Sequence, residues 1–156
     1  MCHYCGCRQI PLIRDYIAEH ERATDLAGDT VRAIEHGDLE TAQRCMTTMS
    51  AELTSHWQGE ENGLFRIMRR EQDYAEYIAN LVLEHRQLAD LLAAVDIADP
   101  RDQEKIRTAM VELLEHISKE EDGLFPASLT ALTGRDWDAA FAAWSRAHPG
   151  EHLISD

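Results

Sequence analysis

Two ten-residue segments of this chain carry the same chemistry. His56-Trp57-Gln58-Gly59-Glu60-Glu61-Asn62-Gly63-Leu64-Phe65 matches the segment from His116 to Phe125 at six positions (His, Glu, Glu, Gly, Leu and Phe), at an offset of sixty residues. In each segment a histidine is followed four residues later by a glutamate. On an α-helix that spacing puts both side chains on one face, about one turn apart, so an imidazole and a carboxylate point into the same volume. A weaker echo relates Glu19-His20 to Glu84-His85 at an offset of sixty-five, with Asp-Leu following at Asp25-Leu26 and Asp90-Leu91. The inventory is four imidazoles, from His20, His56, His85 and His116, and two carboxylates, from Glu60 and Glu120. Imidazole suits iron, zinc, copper and nickel, whereas carboxylates alone suit magnesium or calcium. One metal rarely needs six such ligands, and two metals bridged by two carboxylates use them well. A mixed set with room for exogenous ligands favours a non-haem di-iron centre. The metal-free alternative is a buried His–Glu hydrogen-bond network.

Helices must hold these residues, and the sequence supplies four long ones. The first is expected from about Pro11 to His36, with Ile13, Tyr16, Ile17, His20, Ala23, Thr24, Ala27, Val31 and Ile34 on its apolar face. Gly37 ends it, and Asp38 is placed to cap the second, whose face runs through Leu39, Ala42, Met46, Met49, Leu53, His56, Glu60 and Leu64. The third presents Tyr74, Ile78, Leu81, Val82, His85, Leu88, Leu92 and Val95. The fourth opens on Asp99-Pro100, an N-cap followed by a proline where a helix tolerates one, and presents Ile106, Ala109, Met110, Leu113, His116, Ile117, Glu120 and Leu124. A shorter amphipathic piece spans about Arg135 to Ala147, with Trp137, Phe141 and Trp144 on one side, packed on the bundle. The expected fold is an all-α, antiparallel up-down four-helix bundle with a short C-terminal fifth helix. It divides into a Cys-rich segment over 1–10, the bundle over 11–130, and the C-terminal helix and tail over 131–156. Each long helix sets a histidine in the middle of its apolar stripe. Two add a glutamate, and a lone buried carboxylate is costly unless something pairs with it.

Composition narrows the function. The 156 residues carry 15 Lys and Arg against 29 Asp and Glu, a formal charge of −14. That balance argues against a nucleic-acid partner or an anionic membrane surface, since both select clustered cations. No apolar run approaches the ~20 residues of a membrane span, and no secretory leader pattern opens the chain. Three of the four cysteines fall in the first seven residues and the fourth is Cys45, a poor disulfide framework. A soluble, cytoplasmic protein with reduced thiols is expected. No Gly-rich phosphate loop and no Gly-x-Ser-x-Gly elbow is present. The ferritin-like di-iron pattern pairs Glu with His three residues later; here the order is reversed and the spacing is four.

At these residues the sequence resembles the hemerythrin family, specifically hemerythrin-like proteins with the HHE cation-binding domain. The matching motifs are His20, His56-x-x-x-Glu60, His85 and His116-x-x-x-Glu120, with the Glu-Glu-x-Gly-Leu-Phe tails, over roughly residues 11 to 130. The Cys-His-Tyr-Cys-Gly-Cys start resembles actinobacterial members of this group. The resemblance implies two iron ions with an oxo or hydroxo bridge and both glutamates bridging. It implies His20 and His56 on one iron, and His85 and His116 on the other. It further implies a small ligand: dioxygen, hydrogen peroxide or nitric oxide, bound, sensed or turned over. Catalase-like or nitric oxide-reducing activity is the enzymatic alternative; iron storage or a zinc-structural bundle ranks below it. Oxygen-carrying members have a fifth histidine four residues after the third-helix histidine, where this chain has Ala89, and an aspartate five residues after the last-helix histidine. Glu120 and Glu60 are preferred over Glu121 and Glu61 because i+4 is the better same-face spacing, which leaves Glu61 and Glu121 to support the ligands from outside or to sit in solvent. Ala89 argues against reversible oxygen carriage, and Tyr16, one turn before His20, is the nearest candidate for an extra ligand.

Other residues carry weaker signals. Cys2, Cys5 and Cys7, with His3 between, suit a redox switch, a second metal, a disulfide or an ordered cap over one bundle end. Cys45 is expected in the core. His36, His148 and His152 flank Gly or Pro and are expected in solvent, as are Glu19, Glu21, Asp25, Glu84 and Asp90, although Asp25 and Asp90 could accept hydrogen bonds from ligand histidines. The expected assembly is a monomer or weak dimer.

Overall fold

The computed structural model describes residues 6–154, and it is helical throughout. After a single 3-10 turn at Cys7–Gln9 come α1 (Ile13–Glu35), α2 (Leu39–Asn62), the short α3 (Leu64–Met68), α4 (Gln72–Ala94), α5 (Pro100–Lys119), α6 (Phe125–Ala131) and α7 (Gly134–Ala147). The long helices α1, α2, α4 and α5 pack in ring order, each beside its sequence neighbour, with α5 returning to α1, and α7 lies along α2. This is the expected bundle with its fifth helix.

Local chemistry sets the joints. Gly37, at φ 73°, closes α1, and the Asp38 side chain accepts from the Thr41 N–H to start α2. Asp99 accepts from the Arg101 N–H, with Pro100 in the first turn of α5. Two joints depart from the continuous helices the periodicity suggests. The chain breaks at Gly63, so Leu64 and Phe65 belong to α3 rather than α2. A Cβ at Gly63 would meet Ala143 Cβ at 3.1 Å and Ala140 Cα at 3.3 Å, so the glycine lets α7 approach. At the equivalent place after α5, Glu120–Leu124 forms a π-helical turn in which the Phe125 N–H reaches the Glu120 carbonyl. Tyr77 Oη donates to the Lys119 carbonyl there, at 2.6 Å, in space that a Cβ at Gly123 would occupy. Such π turns concentrate at functional sites.

The core is two apolar clusters separated by a polar layer. One gathers Ile13, Tyr16, Leu64, Phe65, Leu81 and Phe125 at one end, the other Ala23, Met49, Leu53, Leu92, Ile106 and Leu113 at the other. The histidines of the four stripes lie between them. Each buried Leu, Ile or Phe contributes roughly 1.5–3 kcal/mol, so the clusters clamp the polar layer from both sides. Trp137, Phe141 and Trp144 of α7 pack on the first cluster, as their spacing predicts.

Candidate metal centre

His20, His56, His85 and His116 are all buried, and Glu60 and Glu120 are completely so. The imidazoles meet in pairs. Nε2 of His20 stands 3.0 Å from Nε2 of His56, and Nε2 of His85 stands 2.9 Å from Nε2 of His116. Glu120 joins the pairs, its oxygens lying 3.0 Å from His116 Nε2, 3.1 Å from His20 Nε2 and 3.5 Å from His85 Nε2. Glu60 lies 3.2 Å from His56 Nε2 and 3.8 Å from His85 Nε2. Donor atoms of His20, His56, Glu60 and Glu120 fall within 4.8 Å of one another, as do those of His85, His116 and Glu120, so Glu120 belongs to both groups.

The other ring nitrogen of every histidine is committed. His56 Nδ1 lies 2.6 Å from Glu19, His85 Nδ1 2.9 Å from Glu61, His116 Nδ1 2.7 Å from Glu84, and His20 Nδ1 3.0 Å from Glu121. Each bond crosses to the next helix: α1 supports the histidine of α2, α2 that of α4, α4 that of α5, and the turn after α5 that of α1. The ring closes. A carboxylate facing Nδ1 holds the proton there and leaves Nε2 as a lone pair aimed inward. The close Nε2–Nε2 approaches are then paired acceptors rather than hydrogen bonds. All four oxygens of Glu60 and Glu120 are likewise buried without a hydrogen-bond partner. A buried set of acceptors with no donors needs a cation to satisfy it.

Without a cation the same acceptor set draws protons instead. Burial alone would push the four histidines toward the neutral form, but the surrounding carboxylates prevail and raise all four, His56 the most clearly. Burial would raise Glu120, yet His116, His20 and His85 hold it well below the usual carboxylate range. Glu19 and Glu121 are each held low against burial by the histidine they support, and Glu84 by Lys119 first and then by His116.

The outer residues show what sequence reasoning missed. Glu19 and Glu84, expected in solvent, orient His56 and His116. The available signal was the repeated Glu-His dipeptide, 19–20 and 84–85. Asp25 and Asp90 are exposed and take no such part. His148, also expected in solvent, is buried: its Nδ1 lies 2.9 Å from the Trp144 carbonyl and its Nε2 3.3 Å from Glu19. Trp144 Nε1 donates to Glu19 at 2.7 Å. Arg8 pairs with Glu121 at 2.5 Å, tying the N-terminal turn to the His20 support. The Leu-Phe tails also acquire a role: Phe125 stacks on His20 with ring centroids 5.8 Å apart, and Phe65 on His85 at 5.6 Å. Tyr16 is fully buried, edge-on to the His56 ring, with its hydroxyl unpartnered. Its pKa is raised well above 10.0 by burial and by Glu60. Cys7 is buried and Cys45 half-buried, while Cys2 and Cys5 lie outside the described residues. His36 and His152 are exposed, as expected.

A four-helix bundle with imidazoles and shared carboxylates at its centre is the architecture of a bundle metalloprotein. The family model for the hemerythrin HHE cation-binding domain matches residues 12–128, and the chain belongs to that family. Comparison with curated proteins and with solved structures gives no match. Trp144 of α7 and His148 just after it lie beyond the matched span. Among the described residues no helix is long and apolar enough to cross a membrane.

Proposed function

We propose that this chain is a non-haem di-iron protein that receives dioxygen, hydrogen peroxide or nitric oxide at the centre. His20 and His56 would hold one iron and His85 and His116 the other, with the carboxylates of Glu60 and Glu120 between the two pairs available to both. The observation that carries this reading is the convergence of four Nε2 atoms and four unpartnered carboxylate oxygens in one buried layer. Iron there supplies redox change and open coordination positions for the small ligand. The chain's own residues fix the imidazole tautomers through the four outer carboxylates, exclude bulk water with the two apolar clusters, and present the unpartnered Tyr16 hydroxyl as a further ligand or a proton donor.

A specific residue favours turnover of peroxide or nitric oxide over oxygen carriage. Ala89, one turn after His85, is exposed and offers no donor, so α4 gives the His85/His116 metal a single imidazole. Elemental analysis with an optical spectrum tests the centre: two irons per chain and ferric charge-transfer bands in the near-ultraviolet are expected. A zinc-filled protein without those bands overturns it. Oxygen evolution from peroxide, scaled to iron and lost in His56→Ala, separates enzyme from binder.

A further inference from the structure

The sequence repeat builds two half-sites on one plan, and the structure makes them unequal. On the His20/His56 side, Glu19 is only 6% exposed and lies under Trp144 of α7 and His148, the residue that follows that helix. The Glu121 side chain is 12% exposed and is tied down by Arg8. On the His85/His116 side the supporting carboxylates Glu84 and Glu61 are 30% and 32% exposed. A cavity of about 480 Å³ opens there between α4 and α5, and His85 and His116 form part of its wall.

The repeat explains the opening. Leu88 on α4 stands where α1 has Ala23, and Ala109 on α5 stands where α2 has Met49. The small Ala23 lets α2 approach α1, and Met49, fully buried, fills the space between them. In the other half the bulkier Leu88 holds α5 away, and Ala109 is too short to fill the gap; both line the cavity, with Trp57 stacked on His85 at its floor. At the rim, three carboxylates, Glu84, Glu112 and Glu115, face one ammonium, Lys119.

We propose that this α4–α5 cleft is the port and pocket for the exogenous ligand, which meets the centre on its His85/His116 side, and that its acidic rim selects uncharged ligands over anions. The inference rests on the proposed metal centre and names the face at which that centre is approached. A water takes about 30 Å³ of liquid, so the cleft holds the ligand together with several waters. Dioxygen, nitric oxide and hydrogen peroxide are uncharged at neutral pH and cross the rim without penalty, whereas an anion approaches against like charge in a low-dielectric groove.

The test follows stopped-flow association of two probes, azide as the anion and nitric oxide as the neutral ligand, with the iron-loaded protein. Ala109→Met, which installs the residue of the mirror half, is expected to slow both probes by about tenfold at unchanged iron content, because side-chain motion must then open the path. Leu88→Ala, which widens the cleft, is expected to speed both. The Glu112→Gln/Glu115→Gln variant is expected to speed azide about two- to fivefold and flatten its salt dependence, with nitric oxide unchanged. Iron-loaded variants whose azide and nitric oxide rates all equal the parent's overturn the cleft and leave the metal centre standing. A protein that takes up no iron removes the centre and this inference with it.

Discussion

Replacing Glu19 by glutamine tests whether the outer carboxylate ring governs the centre. Glu19 receives His56 Nδ1–H at 2.6 Å and Trp144 Nε1–H at 2.7 Å, almost wholly out of solvent. The amide keeps the shape, but its single carbonyl cannot serve both donors, and its NH2 turns a donor toward another donor. The Nδ1 proton of His56 is then no longer held by a charge, and the imidazole loses both basicity and orientation. Groups of this kind typically set 10–100-fold in metal affinity, about 1.4–2.7 kcal/mol. The buried, doubly engaged Glu19 belongs near the upper figure. Glu84 supports His116 in the same way but is 30% exposed and shares its charge with Lys119, so Glu84→Gln belongs near the lower one. Chelator competition with elemental analysis reads the two metals separately, and circular dichroism checks that the bundle persists. Glu19→Gln is expected to weaken one metal by about a hundredfold and Glu84→Gln one metal by about tenfold. A folded Glu19→Gln protein that binds both metals as tightly as the parent refutes the reasoning, as does equal damage from the two changes.

Tyr16→Phe removes a buried hydroxyl that has no partner without metal. The metal-free protein should gain about 1–2 kcal/mol, or roughly 2–8 °C in Tm for a chain of this size, while the metal-loaded protein should lose stability; thermal unfolding of both forms reads the opposite signs, and losses in both would contradict the role assigned to the hydroxyl. The pH response should also split by metal content. The raised histidines contribute stability to the metal-free fold that is full below 6.5 and is lost as pH rises through their folded values. The lowered Glu120 contributes above 4.5 and is lost as pH falls through its folded value. Metal binding needs neutral imidazoles and strengthens as pH rises. The Tm gap between metal-loaded and chelator-treated protein should therefore widen from about pH 6 to 8, and a constant gap counts against the site.

The long helices and the inner donors were legible because both depend on local periodicity. A histidine inside an apolar stripe is visible from sequence, and a glutamate four residues on shares its face by geometry alone. In the outer ring Glu61 and Glu121 stood out as neighbours of the inner glutamates, but Glu19 and Glu84 were not legible, because each bond of the ring crosses between helices. Glu19 looks like a surface residue on α1, since it lies off the stripe; only the packing of α2 beside α1 brings His56 to it. His148 follows the same logic: the Pro149-Gly150 turn suggests solvent, yet the approach of α7 to Gly59 and Gly63 buries it against α2. The break at Gly63 and the π turn at Glu120 were hidden too, because the apolar stripe continues through both in sequence.

Duplication explains why the centre is shared and divergence explains why its halves differ. A doubled hairpin delivers two copies of one donor set, and the cross-helix ring binds the copies together, so no half can be oriented alone. Four of the differences between them bear on the centre. Tyr16 stands opposite Leu81, Met49 opposite Ala109, Ala23 opposite Leu88 and Trp57 opposite Ile117. The first puts a phenol beside His56, the next two close one interhelical space and open the other, and the last puts an aromatic floor under His85. None replaces any of the six inner donors. The repeat can therefore keep its metal chemistry fixed while access, coordination and polarity change on one side only, which is the arrangement a centre needs when one metal is to be held and the other is to be reached.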